Sequence, residues 1–581
     1  MQKTDIPLFR FKGEYSYYYY ISGDLYEGDK EYYEFNDPIN KITYTLQGKE
    51  KVCIIHLNDL NNISNIKITK ECKIIIINFY DTIICFDRKY LETLLVRIVE
   101  NIEYNIMELI DKKELYFNFN LLSDEQIKQI INLVKTINFC EGCVFSLKKQ
   151  TNAISINHVV LFPSKLECQY DEINLSSEKY ISEGTNYIIN KEYKLEVGPY
   201  SPVYLCQDLS TIDYLNLPVY KSFSSRSPLE NNFSVHGGKG HNKSQAYSSA
   251  IGEAYERYCS RVFPYDLLII ESYENFLKNN IKAINPEILN LDTNYINKYS
   301  PRNKYKWIKI KNITSNESIY FPANSVFFPY NDENKLMLHS QSTTGISSEK
   351  SLSLAVLKGI FEVLERDAYA LTHKARLYGR KIIFDNVKNK KLKKLLLYLK
   401  EKGINFHIHI LDSFDFIYVV HAILEDKQFP IYTHGSGAAL DIEIAIFRAV
   451  TEAAQMRVSQ IELKEDGISE KDSIYIKWGN GKKKYCKYFL NNSKTKTVNI
   501  SHFKDLKNND VLDDINFLLN KLKQKGFEVY VANLSRKDSP LKCVRVIIPG
   551  LQDIDNYNTR DTNRLLETVG NNEINRLTLF S

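Results

Sequence analysis

The chain has 581 residues, of which 44% are hydrophobic and 25% charged, and its formal net charge is +5. This length exceeds one ordinary hydrophobic core, so two or more domains are expected. The small net charge excludes the dense basic face of a dedicated nucleic-acid binder. The N-terminus shows no apolar signal region, and the strongest apolar run, from Ile74 to Phe86, is interrupted by Asn78 and Asp81. We therefore expect a cytoplasmic protein without a membrane span.

The first part of the chain, residues 1–190, has the pattern of a smaller α/β domain. Runs of β-branched and aromatic residues alternate with two helical patterns, and a polar loop or linker follows at residues 174–184. The patterns predict strands at residues 42–56, 66–79 and 83–86 and near Val159, and helices at residues 90–109 and 123–137.

The rest of the chain, residues 191–581, has the pattern of one large mixed α/β domain, which makes the fold class of the whole protein α+β. Three helical segments in this part carry acidic and basic residues at similar offsets, and strand-like runs separate them. The strand-like runs are Ile408–Leu411, Ile417–Leu424, Glu528–Ala532 and Val544–Ile548, and a further helix is expected from Leu512 to Lys525.

The three helical segments form a degenerate internal repeat. Each places a Glu, then after two residues a Glu or Gln, and then an Arg at once or one residue later. Residues three and four apart lie on one face of an α-helix, so each segment presents a polar stripe. The stripes are Ser249, Glu253 and Glu256; Glu362, Glu365 and Arg366; and Arg448, Glu452 and Gln455, with Arg257 and Arg457 ending the first and third segments.

Small or apolar residues lie off each stripe, so the three helices could pack inward on them. If the stripes converge, five carboxylates share one pocket, and their repulsion raises pKa values unless cations neutralise them. Mg²⁺ binds carboxylates together with phosphate oxygens, and forked arginine donors suit phosphates. The spacing thus indicates a magnesium–nucleotide site, with solvated helix faces as the alternative. The inward positions are Ala250, Ala254, Ile360, Val363, Leu364, Ala449, Ala453 and Ala454.

The order of the residues around the three segments resembles the YcaO family. The resemblance covers about residues 190–560 and includes the repeat itself in the family's order. The flanking sequences are Phe233-Ser-Val-His236-Gly-Gly-Lys239-Gly240 before the first helix, Gln341-Ser-Thr-Thr-Gly345 before the second, His434-Gly-Ser-Gly437 before the third, and Pro549-Gly550-Leu551 after a late strand.

The resemblance implies that ATP and Mg²⁺ bind through the three helical segments. The sequence contains no P-loop pattern G-x-x-x-x-G-K-[ST], which agrees with this mode of binding. By resemblance, Glu253, Glu256, Glu362 and Glu365 hold the magnesium ions and phosphates. The remaining nucleotide contacts would come from Lys239, Ser249, Arg257, Arg366, Glu452, Gln455 and Arg457.

The implied reaction is the ATP-dependent activation of a backbone amide in a ribosomally made precursor peptide. A Cys, Ser or Thr side chain attacks the preceding carbonyl, and loss of the phosphorylated oxygen leaves an azoline. The resemblance also implies a leader-binding partner protein, a dehydrogenase and a homodimer. No general base is assigned, because the favoured interpretation of His236 and His434 is structural.

Two alternatives to azoline formation stay open. Azoline-forming relatives often end in a proline-rich tail, whereas this chain ends Asn575-Arg-Leu-Thr-Leu-Phe-Ser581 without proline. Thioamide or amidine formation at the same ATP site is therefore the second hypothesis. A scaffold subunit without activity is the third, although all five motif carboxylates are present.

The N-terminal region contains one closely spaced cysteine pair among ten otherwise scattered cysteines. Cys140-Glu-Gly-Cys143 resembles the C-x-x-C of the ThiF/E1-like domain that is fused to some YcaO enzymes, so a truncated docking domain is predicted. The pair could supply half of a Zn²⁺ site, but no second pair accompanies it, and two reduced thiols are the alternative.

Overall fold

The computed structural model describes six strands before residue 168 and most of the chain after it. The described residues are 43–46, 50–56, 72–79, 82–87, 143–148, 154–158, 169–180, 203–227, 230–262, 268–289, 299–330, 341–481, 495–536, 539–554 and 561–576, with isolated positions at 197, 266, 337–338 and 490.

The chain forms two compact units. Unit 1 comprises Met1–Lys165, Glu196–Leu205 and Phe223–Ser234, and unit 2 comprises Leu166–Leu195, Cys206–Ser222 and Val235–Ser581. The domain boundary near residue 190 stays a prediction.

Unit 1 contains a six-stranded sheet in the order β1–β2–β3–β4–β5–β6. Strands β2 and β3 are parallel, and the other neighbours are antiparallel. The strands are β1 Thr43–Leu46, β2 Glu50–His56, β3 Cys72–Phe79, β4 Thr82–Asp87, β5 Cys143–Lys148 and β6 Ile154–His158.

Among the described residues, the sheet confirms the strands predicted in the first part of the chain, and β3 covers residues 72–79 of the run predicted at 66–79. The run at residues 42–56 is divided into β1 and β2, and the strand predicted near Val159 ends one residue earlier, at His158. The helices predicted at residues 90–109 and 123–137 lie outside the described residues.

Unit 2 is built mainly on two sheets. One has the order β10–β11–β19–β20–β13, with β12 paired to β11, and all its pairs are antiparallel. The other has the order β17–β16–β15–β14–β18, in which only β14 and β18 are parallel. Apart from the sheets that lie within one unit, the chain forms a three-stranded sheet in the order β7–β8–β9.

The four later runs predicted as strands correspond to β15, β16, β19 and β20, whose bounds lie within three residues of the prediction. The strands are β7 Val203–Asp208, β8 Val219–Ser227, β9 Glu230–Lys239, β10 Ile269–Ser272, β11 Lys304–Asn312, β12 Glu317–Pro322, β13 Ile346–Glu349, β14 Arg380–Ile383, β15 Asn405–Ile410, β16 Tyr418–Glu425, β17 Tyr432–Ala439, β18 Lys496–Asn499, β19 Tyr530–Asn533 and β20 Lys542–Ile547.

The three acidic segments are all α-helices, here α1, α4 and α6, and each begins at a capping side chain. Asn242 caps α1, Ser351 caps α4 and Asp441 caps α6, each by accepting a backbone N–H of the first turn. Within the described part of the chain, no helix is long and apolar enough to cross a membrane. The helices are α1 Lys243–Cys259, α2 Tyr273–Lys278, α3 Ala323–Val326, α4 Leu352–Lys374, α5 Lys390–Glu401, α6 Ile442–Glu465, α7 Ile474–Gly479, α8 Val511–Gln524 and α9 Asn563–Val569.

Helix α4 contacts both large sheets of unit 2. It packs on β13 and β20 of one sheet and on β16 and β17 of the other, while α1 packs on β13 and α6 on β16 and β17. One hydrophobic cluster joins Ile360 and Leu364 of α4 to Val544 and Val546 of β20. The eight inward positions predicted on the three helices are all buried, at 7% exposure or less. The apolar sides of the helices therefore fix where their polar stripes lie.

The contact between β17 and α6 depends on glycine. A Cβ added to Gly435 would lie 2.4 Å from the Ala449 carbonyl oxygen and 2.4 Å from the Ala453 nitrogen. Both atoms belong to the backbone of α6, so neither can move away without moving the helix. Any side chain at this position would separate α6 from the sheet.

Gly435→Ala should therefore lower the free energy of unfolding by about 2 to 3 kcal/mol, a cost typical of overpacking. Gly252→Ala in α1 is the matched control, since the added Cβ would lie 4.0 Å from Leu541 Cδ1. The control should be neutral or slightly stabilising, because alanine favours a helix over glycine. Urea unfolding of both variants measures this, and equal midpoints would contradict the close-contact argument.

Candidate active site

The polar stripe of α1 carries two glutamates and the arginine that pairs with both. Arg257 Nη1 lies 2.6 Å from Glu256 Oε1, and Nη2 lies 3.3 Å from Glu253 Oε1. The backbone N–H of Ser348 in β13 also donates to Glu256. Ser249 lies exposed one turn before Glu253 on the same helix.

The stripe of α4 repeats this arrangement. Arg366 Nη2 lies 3.7 Å from Glu362 Oε1, again four residues apart. Glu365 is buried, at 5% exposure, and accepts a hydrogen bond of 2.5 Å from the Ser436 hydroxyl of β17. Ser436 therefore fixes one oxygen of a carboxylate that would otherwise be free to rotate.

The stripe of α6 pairs with the lysine at the end of β9. Lys239 Nζ lies 2.5 Å from Glu452 Oε2. Arg448, one turn before Glu452, is a further positive neighbour of that carboxylate. A Cβ added to Gly237 would lie 1.8 Å from Gln455 Nε2, so the Gln455 amide rests directly on this glycine.

The three stripes are electrostatic neighbours of one another. Glu256 of α1 and Glu362 of α4 are electrostatic neighbours, and so are Arg366 of α4 and Glu452 of α6. All five motif carboxylates therefore belong to one group of facing side chains, which we call the carboxylate cluster: Glu253, Glu256, Glu362, Glu365 and Glu452.

Burial and crowding shift the proton affinities of the cluster. Burial raises the pKa of Glu362 to about 7, with Glu365 adding to the rise and Arg366 and Arg257 opposing it. Burial also holds the pKa of Glu256 well above its usual range. Arg257 opposes this rise, and Glu362 adds to it. Burial and the repulsion between neighbouring carboxylates thus outweigh the arginines beside Glu256 and Glu362.

The α6 side of the cluster behaves differently. Burial alone would raise the pKa of Glu452, but the Lys239 ammonium outweighs it, with help from Arg366 and Arg448, and the pKa falls below its usual value. Glu452 is therefore ionised at neutral pH, whereas burial favours the protonated forms of Glu256 and Glu362 unless further cations are bound.

Arg457 is directed away from its neighbours in the repeat. Its side chain is fully buried, and Nε and Nη2 lie 2.7 and 3.2 Å from Asp213. Nη2 also donates to Asp426 at 2.9 Å, and Nη1 donates to the Pro430 carbonyl at 3.3 Å. Each nitrogen of this guanidinium is committed to a protein acceptor. The structure thus places Arg457 in an anchor for α6, separate from the carboxylate cluster.

Two residues of the site lie outside the three repeated segments. They are Arg545 of β20 and Asp553, which follows that strand. Arg545 is an electrostatic neighbour of Glu362, Glu256 and Asp553, and burial lowers its pKa to about 10. Asp553 accepts a hydrogen bond of 2.9 Å from the Thr344 hydroxyl. Each is an isolated charge near the Pro549-Gly-Leu pattern, so only that pattern pointed to this region.

Asp367, which follows the second repeat directly, holds this region against α4. Its Oδ1 accepts the backbone N–H of Gln552 at 2.8 Å, and Arg564 Nε lies 3.0 Å from its Oδ2. The side chain is fully buried. Asp367 thereby fixes the position of Asp553 in the chain segment after β20.

The two histidines that flank the motifs are both buried. The ring of His434 stacks on that of Tyr369 and packs against that of Trp478, and its Nδ1 lies 3.4 Å from Nε2 of His421. Burial lowers the pKa of His434 to about 4, so it is uncharged at neutral pH. The general base remains unassigned.

The residues present fit a magnesium nucleotide. Among the described side chains, no group of three or more His, Cys, Asp or Glu residues is arranged to hold a metal ion by itself. Mg²⁺ commonly takes one or two carboxylates and completes its shell with phosphate oxygens and water. Within the same part of the chain, Arg366, Arg448 and Arg545 each have a buried Nε atom without a hydrogen-bond partner. Donors of this kind suit phosphate oxygens.

The carboxylates and arginines that face one another on this mixed α/β fold form a site suited to an ATP-dependent enzyme without a P-loop. The model of the YcaO family, described as YcaO cyclodehydratase, ATP- and Mg²⁺-binding, matches residues 237–552. The match covers more than half of the chain, which therefore belongs to the YcaO family. Its cofactors are ATP and Mg²⁺.

Similar proteins extend this comparison. An uncharacterised protein of Methanothermobacter thermautotrophicus is 29% identical over 353 residues, which cover 59% of this chain and 88% of the relative. A heterocyclase solved in complex with substrate and cofactor superimposes with a TM-score of 0.74 at 17% identity, over 94% of this chain and 83% of the other. The heterocyclase TruD gives a TM-score of 0.62 at 15% identity, over 94% and 80%. At these identities, the two structures show a shared fold.

The predicted zinc site is not tested by these findings. Cys140 lies outside the described residues, and Cys143 begins β5. Both the zinc pair and the truncated ThiF/E1-like domain stay predictions.

The raised pKa of Glu362 predicts that the free energy of unfolding of the nucleotide-free protein depends on pH. A carboxyl with a pKa of 4.5 when unfolded and about 7 when folded holds an extra proton in the folded state between these values. The free energy of unfolding should therefore fall as pH rises through this window. Glu362→Gln should remove that part of the fall. Its free energy of unfolding at pH 8 should exceed that of the wild type by on the order of 2 kcal/mol.

Urea unfolding at pH 4.5 and pH 8 without nucleotide measures this difference. Glu401→Gln at the exposed end of α5 is the matched control and should follow the wild type at both values. A Glu362→Gln variant that tracks the wild type at pH 8 would show that the cluster relaxes without holding protons.

Proposed function

We propose that this protein uses ATP and Mg²⁺ to activate backbone amides of a ribosomally made precursor peptide and cyclises Cys, Ser or Thr residues to azolines. The observation that carries the proposal is the convergence of five carboxylates with arginines from three helices. Phosphoryl transfer needs mainly positioning and charge stabilisation, which such a cluster supplies.

The proposed reaction forms three bonds in turn. The side-chain sulfur or oxygen of the peptide loses its proton and adds to the preceding amide carbonyl. The resulting oxyanion takes the terminal phosphoryl group of ATP, and ADP leaves. Phosphate then departs with the former carbonyl oxygen while the nitrogen loses its proton, and a C=N bond forms. One ATP is converted to ADP and phosphate for each ring.

The proposed roles follow the placement of the side chains. Glu253, Glu256, Glu362 and Glu365 would hold Mg²⁺, which screens the phosphate charges and supplies Lewis acidity. The nucleotide would be contacted by Lys239, Ser249, Arg257, Arg366, Glu452 and Gln455. Lys239 and Glu452 would exchange their present ion pair for contacts with the nucleotide. For Arg457, whose donors are all in use, we propose that it acts by anchoring α6.

The shared fold supports the peptide part of this proposal. The structure with the TM-score of 0.74 is a heterocyclase with substrate and cofactor bound, and the similarity covers 94% of this chain. A precursor peptide is thus the proposed substrate, with a leader-binding partner protein, a dehydrogenase and a homodimer as further proposals.

Thioamide or amidine formation is the second candidate function. It would use the same ATP site, because the activated amide oxygen leaves as phosphate in either case. The products differ in mass: azoline formation removes one water, whereas a thioamide exchanges oxygen for sulfur. An inactive scaffold subunit would give neither product and no ATP turnover.

The variant Glu365→Gln tests whether the carboxylate cluster is needed for ATP turnover or only for the fold. The amide has the size of the carboxylate and can still accept the Ser436 hydroxyl, so the fold should hold while the metal loses a negative ligand. We expect peptide-dependent ADP release to fall by at least about 100-fold, since even partners of metal ligands contribute 10- to 100-fold. Mass spectrometry of a Cys- and Ser-containing precursor peptide should show one water lost per ring in the wild type alone.

The exposed variant Glu401→Gln serves as the control and should retain full turnover. A mass gain corresponding to the exchange of oxygen for sulfur would favour the thioamide function. The proposal fails if the wild type, given ATP, Mg²⁺ and peptide, releases no ADP.

A further inference from the structure

The segment that leads into helix α5 and forms its first turns is strongly basic. Residues 388–394 contain five lysines and no acidic residue, whereas the net charge of all 581 residues is +5. The rest of the chain therefore carries no net charge. Lys388, Lys390, Lys393 and Lys394 are exposed, and we call these four side chains the lysine patch.

The acidic residues close to this segment accept hydrogen bonds from other donors. The Glu443 carboxylate of α6 accepts the backbone N–H groups of Lys388 and Asn389. The Asp385 carboxylate accepts the side-chain amide of Asn499. Among the described residues, no ion pair involves the lysine patch. Its ammonium groups therefore lie side by side in solvent.

The charges of the lysine patch oppose one another in the free protein. Residues three and four apart are neighbours on a helix, so Lys390 repels both Lys393 and Lys394. The first turn of α5 contains no acidic residue, and the positive end of the helix dipole adds to the repulsion. Helix α8 has the opposite and favourable order, with Asp513 and Asp514 in its first turn and lysines in its last. A bound polyanion would relieve the repulsion on α5.

The other side of α5 is fixed to the protein. Leu392, Leu396 and Leu399 are buried in a hydrophobic cluster that includes the first half of α6. The Tyr398 hydroxyl donates to the Leu215 carbonyl at 2.7 Å. Helix α5 therefore has no apolar face left to enter a membrane and no free ring on which a nucleic-acid base could stack.

The residue types of the patch favour carboxylates over phosphates as the partner. Residues 388–394 contain no arginine, whose planar fork suits phosphate groups best, and a lysine ammonium is a point charge that pairs with any exposed carboxylate. Four such groups on a rigid helix thus fit a peptide segment with several Asp or Glu residues.

The lysine patch lies within reach of a peptide that enters the active site. Glu443, which holds the backbone at the start of α5, is in the first turn of α6. Glu452 of the carboxylate cluster follows nine residues later on the same helix, about 14 Å along its axis. An extended peptide spans that axial distance with about four or five residues.

We propose that the lysine patch docks an acidic segment of the peptide substrate, which a spacer separates from the residues that are modified. The attraction between exposed ammonium and carboxylate groups supplies the affinity, so salt weakens it. This assignment rests on the peptide part of the proposed function, but the docking step itself needs neither ATP nor turnover.

Fluorescence anisotropy with a labelled probe peptide rich in Glu measures the docking step. The triple variant Lys390→Gln, Lys393→Gln, Lys394→Gln should weaken the affinity for the probe by about 5- to 50-fold, as expected for the loss of three exposed ion pairs. Added salt should weaken the binding of the wild type more than that of the variant. The matched control is Lys427→Gln, Lys471→Gln, Lys523→Gln. It removes three exposed lysines from other parts of the fold and should bind like the wild type.

A second variant separates docking from a structural role. Lys390→Glu places an acidic residue in the first turn of α5, four residues before Lys394, where it is favourable. The melting temperature should stay the same or rise by about 1 to 2 °C, whereas the affinity for the probe should fall. A structural role of the patch would instead lower the melting temperature.

Turnover connects docking with the active site. With a precursor peptide that carries an acidic segment, the triple variant should raise the KM of ADP release by about the same factor as it weakens probe binding. The kcat should be unchanged, because the lost contacts lie away from the reacting atoms.

Four results would overturn the assignment. They are equal losses of affinity in the two triple variants, an unchanged KM in the patch variant, a lower melting temperature of Lys390→Glu, and tighter binding of double-stranded DNA or phosphatidylglycerol vesicles than of the probe at the same patch. Patch-dependent binding of the probe without any ADP release by the wild type would count against the proposed azoline function and leave the docking surface in place.

Discussion

Repulsion among partly buried carboxylates is the constraint around which the second unit is arranged. Three helices bring five glutamates together, and burial with mutual repulsion raises the pKa values of Glu256 and Glu362 although arginines lie beside them. In the proposed nucleotide complex, magnesium and phosphates would balance these charges.

The cluster can exist only because the helices are held firmly from behind. Alanines and branched residues of α1, α4 and α6 pack on the sheets, and Gly435 lets α6 approach β17 more closely than any other residue would. Buried ionic contacts secure the ends of the arrangement. Arg457 links α6 to Asp213 and Asp426. Asp367 of α4 pairs with Arg564 and accepts the backbone N–H of Gln552 in the segment after β20. Removing one partner of such a pair would leave an uncompensated buried charge.

Helical periodicity explains which residues of the repeat belong to the cluster. Arg257 and Arg366 follow their glutamates by four residues and pair with them. Arg457 follows Glu452 by five residues, which turns it by about 140° to another face of the helix. Arg448, four residues before Glu452, takes the corresponding place in the third helix. The order of residue types in the repeat suggested Arg457 as the arginine of the third stripe, whereas the geometry of the helix favours Arg448 for that place.

The sequence by itself determined the parts of the site that lie on one helix. Spacings of three and four residues defined the stripes of α1, α4 and α6, and the order of the motifs indicated the family, because both are local properties of the chain. The tertiary structure decided the rest: that the stripes converge, that Ser436 fixes Glu365, and that Arg545 and Asp553 join the cluster. These residues lie on strands and loops far from the helices in sequence. Side chains alternate on a strand irrespective of what lies opposite, so only the packing of β17 and β20 against α4 brings them to the site.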